Sequence, residues 1–370
     1  MKKIEMTKKK ILIIGRVYSN NKGVSGPSSI IMALAEEFKA LNVNFELLGY
    51  DSDKISKFKY FMLLFKRILF SRGLIVNVHT EGFLIPFIVY ILSILNPFHE
   101  YYLTIHGIYI IQAKYMGGII KTSTKLQEKI LIRHFDNIIC VSEMLKKDVE
   151  RLFNRTTKVF VANNGIYMEK VEFQAKKLKE NQLKLISTGG IKKIKGVFES
   201  LELLQHINNK AVKLKVYLDI YGGTDDEETL EHYKKAVREM ALEEFVSYKG
   251  VIKDKKELYE KYSEADLSIA LSHYDTFNAA IIESMACGTP VIASSNCGAS
   301  YLMKNGADGF VLKLEEAFKE NIYEILQQCV YEEDRFNLIR KNAYNATRQY
   351  TWDKAAKAYL QVLYKTNELI

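Results

Sequence analysis

The sequence predicts an α/β protein built from two Rossmann-like, doubly wound domains, and three observations carry that prediction. Short, nearly continuous apolar runs alternate with stretches of helical periodicity along the whole chain. Glycine-bearing loops follow several of those runs directly, in the strand, loop, helix order of a βαβ unit. The alternation comes as two series of similar length, parted at residues 169–182 by a charged stretch without strong periodicity. A length of 370 residues fits two domains at roughly 100–200 residues each.

The first series opens at residues 11–14, an apolar run ending in Gly15, which reads as a strand buried on both faces. A loop with Gly23, Gly26 and Pro27 follows, and then a helix with apolar positions Ile31, Leu34, Ala35, Phe38 and Leu41, capped by Ser28 or Ser29. Further strands are expected at 45–48, 74–78, 101–105, 137–141 and 158–162. The second series places strands at 183–187, 216–221, 246–249, 267–271, 291–293 and 310–312. The expected domains are 1–170 and 183–350, with 171–182 as linker and 351–370 as a terminal helix. In such sheets ligands bind beyond the carboxyl ends of the strands, so chemistry is sought just after each run.

Composition narrows the class. The four cysteines, Cys140, Cys287, Cys297 and Cys329, are scattered without metal-binding spacing and fit a reducing, cytoplasmic setting. The net charge of +9 suits an anionic partner, whether nucleotide phosphates, a membrane surface or nucleic acid, and is equally an ordinary lysine-rich surface. No nucleic-acid-binding module is recognisable. The longest apolar stretch, 83–95, is too short to span a bilayer, which needs roughly 20 residues. Residues 54–72 interleave bases with large apolar side chains, as a helix lying in the headgroup region does, or as a core helix with lysines at its edge does. Asp51 and Asp53 form an Asp-Ser-Asp triplet that reads as turn chemistry rather than a metal site, and no metal is expected. No G-x-G-x-x-G follows the first strand, which argues against a nicotinamide dehydrogenase.

The strongest motif is SHYDTFNAAIIESMACGTP at 272–290, a strand end opening into a helix. Asn278 stands where it caps that helix, and the free amides near Ala279 and Ala280 favour anionic ligand atoms. Asp275 and Glu283 lie eight residues apart. This segment resembles the acid-x7-Glu signature of the family 4 glycosyltransferases, whose GT-B fold sets two Rossmann-like domains across a cleft.

The resemblance implies that Glu283 takes the ribose hydroxyls of a nucleotide and that Asp275 lies on the donor-sugar side. Other matches follow in order over nearly the whole chain. Lys195 matches the family lysine that holds the donor diphosphate, while Gly190 occupies the family's arginine position, with Lys192 or Lys193 available as a substitute charge. His106 matches a strand-end histidine in contact with the donor sugar, Gly222 a glycine turn near the nucleotide, and Ser25 and Gly26 a first-loop pair whose amides approach phosphate or acceptor. The turn at 163–166 resembles an Asn-Gly-hydrophobic-Asp turn with Tyr167 in place of the acid, and Tyr301 stands where a glutamate is frequent.

The function implied is a retaining, metal-independent transfer of a hexose-type sugar. It runs from a UDP- or GDP-sugar, with no other cofactor, to a glycan or lipid-linked acceptor in bacterial cell-surface polysaccharide synthesis, at the inner face of the membrane. Two alternatives stay open: an epimerase or phosphorylase on the same fold, and a non-catalytic nucleotide-sugar-binding partner protein.

Overall fold

The computed structural model describes residues 9–18, 26–115, 121–167, 172–179, 181–210 and 214–366. The chain divides into two compact units. Unit 1 holds Met1–Ala113, Gly118–Gly165 and Trp352–Ile370; unit 2 holds Lys114–Gly117 and Ile166–Thr351.

In chain order the first elements are β1 (Ile11–Arg16), α1 (Gly26–Ala40), β2 (Phe45–Tyr50), α2 (Lys57–Leu69), β3 (Ile75–His79), α3 (Leu84–Leu95), β4 (Glu100–Ile105), α4 (Tyr109–Tyr115), α5 (Thr122–His134), β5 (Asn137–Cys140), α6 (Glu143–Phe153) and β6 (Val159–Val161). The strands form one six-stranded sheet in the order β2-β1-β3-β4-β5-β6. Every pairing is parallel, as Ile13↔Leu47 and Ile13↔Asn77 illustrate for β1. β1, β3, β4 and β5 are buried almost throughout, the reason their sequences read as unbroken apolar runs rather than alternating ones.

The second group is β7 (Gln182–Ser187), α7 (Val197–Asn208), β8 (Lys215–Tyr221), α8 (Glu227–Glu239), β9 (Val246–Gly250), α9 (Lys255–Glu264), β10 (Leu267–Ala270), α10 (Ala279–Ala286), β11 (Val291–Ser294), β12 (Phe310–Leu312), α11 (Phe318–Tyr331) and α12 (Glu333–Ala346). Its strands form a second six-stranded parallel sheet in the order β12-β11-β10-β7-β8-β9. Leu185, Leu201, Leu204, Leu218, Ile220 and Ile322 sit in its core, each no more than 1% exposed. Truncating one of them, Leu201→Ala for instance, costs about 2–5 kcal/mol in transfer and cavity terms.

The last helix, α13 (Trp352–Tyr364), belongs to unit 1 and packs on α1. Its stripe of Trp352, Ala356, Tyr359, Leu360 and Leu363 joins Ile11, Ile31 and Phe38 in that unit's core. Residues 172–179 carry no regular structure but are tied to unit 2. The Lys176 amide donates to Asn337 Oδ1 at 3.1 Å, and its ammonium pairs with Asp266 at 2.8 Å.

One capping expectation is corrected. Ser28 and Ser29 lie inside α1, which begins at Gly26. Pro27 falls in the first turn, where its missing N–H and fixed φ favour helix entry, so the chain turns helical before either serine. Ser25 and Gly23 lie outside the described residues.

Candidate active site

In unit 2, β7 leads to β8 on one side, while the chain returns to β10 on the other. The crevice beyond the carboxyl ends of β7 and β10 is therefore the topological switch point of the sheet, the usual ligand position in a doubly wound fold. The two strongest sequence motifs emerge there, one from each strand.

The loop after β7 is drawn over the sheet by glycines. Gly190 has φ +71°, and a Cβ on it would lie 2.0 Å from the Gly223 carbonyl oxygen. Its amide donates to Tyr221 O at 2.9 Å, and Ile191 donates to Gly223 O at 3.0 Å, so Gly190 and Gly222 are brought together as the strand ends of β7 and β8 join. No side chain fits at Gly190 without moving this backbone. Gly196, with φ +74°, plays the same part on the other flank, where a Cβ would meet the Leu271 carbonyl oxygen at 1.9 Å. Between them, the 3-10 turn Lys193–Lys195 sets Lys195 against the β10 loop, to which Ile194 is tied by a hydrogen bond from the His273 amide at 2.9 Å.

Lys195 forms an ion pair with Asp275, joined by a short hydrogen bond. Burial works against the Lys195 ammonium, but the charge and hydrogen bond of Asp275 reverse that effect and raise its pKa, so it stays protonated. Asp275 is fixed in turn by its backbone, the amide donating to Asn296 O at 3.0 Å and the carbonyl accepting from Gly298 N at 2.8 Å. The other lysines of the loop differ. Lys193 is exposed, and its amide donates to Asp225 Oδ2 at 3.1 Å; Lys192 is half-buried.

Asn278 stands at the N-cap position of α10, but in the left-handed region (φ 65°, ψ 72°), and its side chain makes no cap hydrogen bond. It turns instead to Cys297 Sγ at 3.6 Å, which corrects the capping role expected of it. Ala279 and Ala280 form the first turn and are half-buried. Small side chains there leave the first-turn amides approachable.

Glu283 lies on the same helix with its side chain 12% exposed, and its carboxylate pairs with Lys255 Nζ at 2.5 Å. No direct ion pair links it to Lys195 among the described residues; each charge has its own counter-charge. Nearby, the Tyr262 and Thr188 hydroxyls lie 2.8 Å apart, and burial, reinforced by the Glu283 charge, holds the Tyr262 phenol well above its ordinary pKa. Lys255 and Tyr262 were not singled out from the sequence, because a lysine in a lysine-rich chain and a tyrosine among twenty-three carry no local signal.

His106 lies in unit 1, just past β4. Its Nε2 meets His79 Nδ1 at 3.0 Å, and the rings stack with centroids 5.2 Å apart. His79 Nε2 meets Asn77 Oδ1 at 2.9 Å, while Asn77 Nδ2 donates to Thr104 Oγ1 at 2.8 Å. The amide orientation fixes the tautomers. Asn77 Oδ1 accepts from His79 Nε2–H, leaving His79 Nδ1 to accept from His106 Nε2–H. Burial pushes the pKa of His106 down to about 3 and that of His79 well below its ordinary value. Both rings are therefore neutral at physiological pH. His79 was legible in principle, as the last residue of β3 beside β4.

Gly26 is the exposed first residue of α1, and its partner Ser25 lies outside the described residues. Asp51 accepts the Asp53 amide on Oδ1 at 3.0 Å, and its carbonyl accepts from Lys54 and Ile55, an Asx-type turn. Among the described residues no group of three or more His, Cys, Asp or Glu side chains is arranged to hold a metal ion.

Comparison with known proteins bears on the family and the fold. The model of the family described as "Glycosyl transferases group 1" matches residues 168–345. A protein of Thermosipho melanesiensis named "Probable sucrose-phosphate synthase" is 34% identical over 125 residues, covering 32% of this chain and 28% of that protein. The capsular polysaccharide biosynthesis glycosyltransferase CapM of Staphylococcus aureus is 25% identical over 63% of this chain and 64% of its own length. The chain thus spans less than two thirds of either curated relative. The crystal structure of Anabaena HepE in complex with UDP superposes with a TM-score of 0.71 at 14% identity, covering 96% of this chain and 99% of that one. Through residues 168–345 the chain belongs to the group 1 glycosyltransferase family, and its two six-stranded parallel sheets are those of the GT-B fold.

Proposed function

We propose that the chain is a retaining, metal-independent glycosyltransferase that moves a hexose from a UDP-sugar to a glycan or lipid-linked acceptor in cell-surface polysaccharide synthesis. The observation that carries this reading is the Lys195–Asp275 pair at the switch point of unit 2, with the first turn of α10 beside it. Donor arrival exchanges partners: the diphosphate takes Lys195 and the helix amides, and Glu283 turns from Lys255 to the ribose hydroxyls, which it accepts as a carboxylate can. Asp275, released, faces the sugar hydroxyls. The UDP complex of HepE and the capsular role in the name of CapM support the choice of donor and pathway.

In the transfer step the bond from the sugar's anomeric carbon to the phosphate oxygen breaks and a bond to the acceptor oxygen forms on the same face. The acceptor's proton passes to the departing phosphate oxygen, so no protein nucleophile is needed. Negative charge grows on the diphosphate as it leaves, and a preorganised ammonium and amide dipoles stabilise that growth. The neutral, relay-held His106 serves as a hydrogen-bonding ligand for a sugar hydroxyl, not as a proton-transfer base. Incubation with UDP-glucose and an oligosaccharide panel, followed by mass and anomeric analysis, tests the reading. A new α-linked glycoside is expected from an α-linked donor. A free epimer, a sugar phosphate or an inverted linkage contradicts it.

A membrane-side acceptor fits the exposed face of α2 and α3. α2 buries Tyr60, Leu64 and Ile68, yet Phe58, Met62 and Phe65 stay exposed. α3, packed on α2, exposes Ile91, Ile94 and Leu95, and Phe70 and Phe98 beyond the two helices are 85% and 62% exposed. Within residues 54–99 the bases are Lys54, Lys57, Lys59, Lys66, Arg67 and Arg72, against the single acid Glu81. Apolar side chains ringed by bases match an anionic bilayer, where each base near the surface contributes about 1 kcal/mol. No helix among the described residues is long and apolar enough to cross a membrane, so this contact is a docking and not a span.

A further inference from the structure

Glu128, in the middle of α5, is a buried carboxylate without a counter-ion. It is 0% exposed, and among the described residues no lysine, arginine or histidine pairs with it. Its oxygens meet backbone instead. Oε1 accepts from the Tyr109 amide at 2.6 Å and Oε2 from the Ile110 amide at 3.1 Å. These are the first two residues of α4, whose opening N–H groups have no partner within the helix. Burial opposes the charge and the two amides favour it, and the balance pushes the pKa of Glu128 up to about 7.

Helix stability alone does not call for this arrangement. A carboxylate taken out of water without a counter-ion is costly, whereas a serine or asparagine at the helix start satisfies the same amides locally. What the carboxylate adds is a tie from α5 to the turn that opens α4. That turn carries His106. The chain leaves β4 through His106, Gly107 and the fully buried Ile108, whose carbonyl accepts from the Ile111 and Gln112 amides. The His106 amide donates to Thr80 Oγ1 at 3.1 Å. The backbone on either side of the His106 ring is therefore held, by Thr80 at its own amide and by Glu128 at Tyr109 and Ile110, while His79 holds the ring itself. A ligand group is only as well aimed as the shell that supports it.

We propose that Glu128 is a positioning residue for sugar transfer, its carboxylate locking the turn at 106–110 and so fixing where the His106 ring points. The proposal rests on the reading of the chain as a glycosyltransferase with His106 at a sugar hydroxyl, and adds a residue of α5 that acts through it.

The test compares the wild type with Glu128→Gln, Thr80→Val, His106→Ala and the double variant Glu128→Gln/His106→Ala, at about pH 8 so that the wild-type carboxylate is charged. In Glu128→Gln one amide faces an NH2 group instead of an acceptor, and no unpaired charge is created. This variant is expected to lower kcat at least tenfold with UDP affinity unchanged, because its effect lies in geometry and not in nucleotide binding. The NMR signals of the His106 ring are expected to move, while those of His206 and His232 in unit 2 stay in place. In the His106→Ala background, Glu128→Gln is expected to cost no more than about a further twofold, since a residue acting through His106 has nothing left to position. A purely structural role would instead cost the same in both backgrounds. Thr80→Val is expected to move the same ring signals, which keeps the test decisive where Glu128→Gln melts early. Unmoved His106 signals in both variants, a full further loss in the double variant, or unchanged transfer in His106→Ala overturns the proposal. Absence of transfer by the wild type contradicts the glycosyltransferase reading, and the ring signals still decide whether Glu128 holds His106.

Discussion

Lys195 and Asp275, eighty residues apart in sequence, form an ion pair where β7 and β10 end side by side. Both side chains are largely shielded, so removing one partner strands the other. Lys195→Met is expected to lower sugar transfer at least tenfold, about 1.4 kcal/mol in the barrier. Asp275→Asn is expected to lower it too, and the double variant to fall short of the summed losses, because the two act as a unit. Transfer rates of the four proteins check this. Strictly additive losses contradict coupling in the working enzyme.

Restoring the family arginine is expected to harm this chain. Gly190→Arg puts a side chain at φ +71° and drives its Cβ into the Gly223 carbonyl. The strain alone is of order 1–3 kcal/mol. A lowered melting temperature and lower transfer are expected, and Gly190→Ala is expected to show the same destabilisation. A variant with unchanged melting and raised activity contradicts the steric account of the departure.

How far the sequence reached is clear from these two sites. The strands were legible because parallel strands covered on both faces must be apolar throughout, and residues 11–14 or 137–141 have no other stable use. Asp275 and Glu283 were legible as a spacing, and Lys195 as a resemblance. Their pairing was not, because it depends on β10 lying next to β7, a non-local fact that no residue near either one records. The crowding at Gly190 likewise comes from Gly223, on a different strand end. Pro27 is the local signal that α1 starts before Ser28 and Ser29. Asn278 had the composition of a cap but was taken into the left-handed region, where its side chain reaches Cys297.

The relay from Asn77 through His79 to His106 gives a pH prediction. Unfolded histidine titrates near 6.5, and folded His106 near 3, so between those values the unfolded state binds more protons and stability rises with pH. The contribution is complete above about pH 6.5 and is lost as pH falls toward 3, by on the order of a few kcal/mol. Thermal melts from pH 7 to pH 4 are expected to fall more steeply for the wild type than for His106→Gln. Parallel slopes contradict the buried neutral assignment.

Lys255 holds the Glu283 carboxylate while its own side chain is 55% exposed. If Glu283 must change partners to take a ribose, Lys255→Ala is expected to leave UDP affinity unchanged or raise it severalfold. A tenfold loss in that variant means that Lys255 itself holds the nucleotide.

The exposed face of α2 is expected to give salt-sensitive binding to phosphatidylglycerol vesicles and none to phosphatidylcholine vesicles. Phe58→Glu combined with Met62→Glu is expected to abolish sedimentation with the anionic vesicles without shifting the melting temperature, since both side chains are more than half exposed. Equal binding to both vesicle types, or none to either, contradicts the membrane docking.

Calorimetric titration of UDP into the wild type, Lys195→Met and Glu283→Ala measures most directly whether the switch point of unit 2 binds a nucleotide diphosphate. One saturable site is expected in the wild type, with at least tenfold weaker binding in each variant at a temperature where all three proteins are folded. Equal UDP affinity in all three folded proteins would show that the nucleotide binds elsewhere, and the assignment of this site would fail.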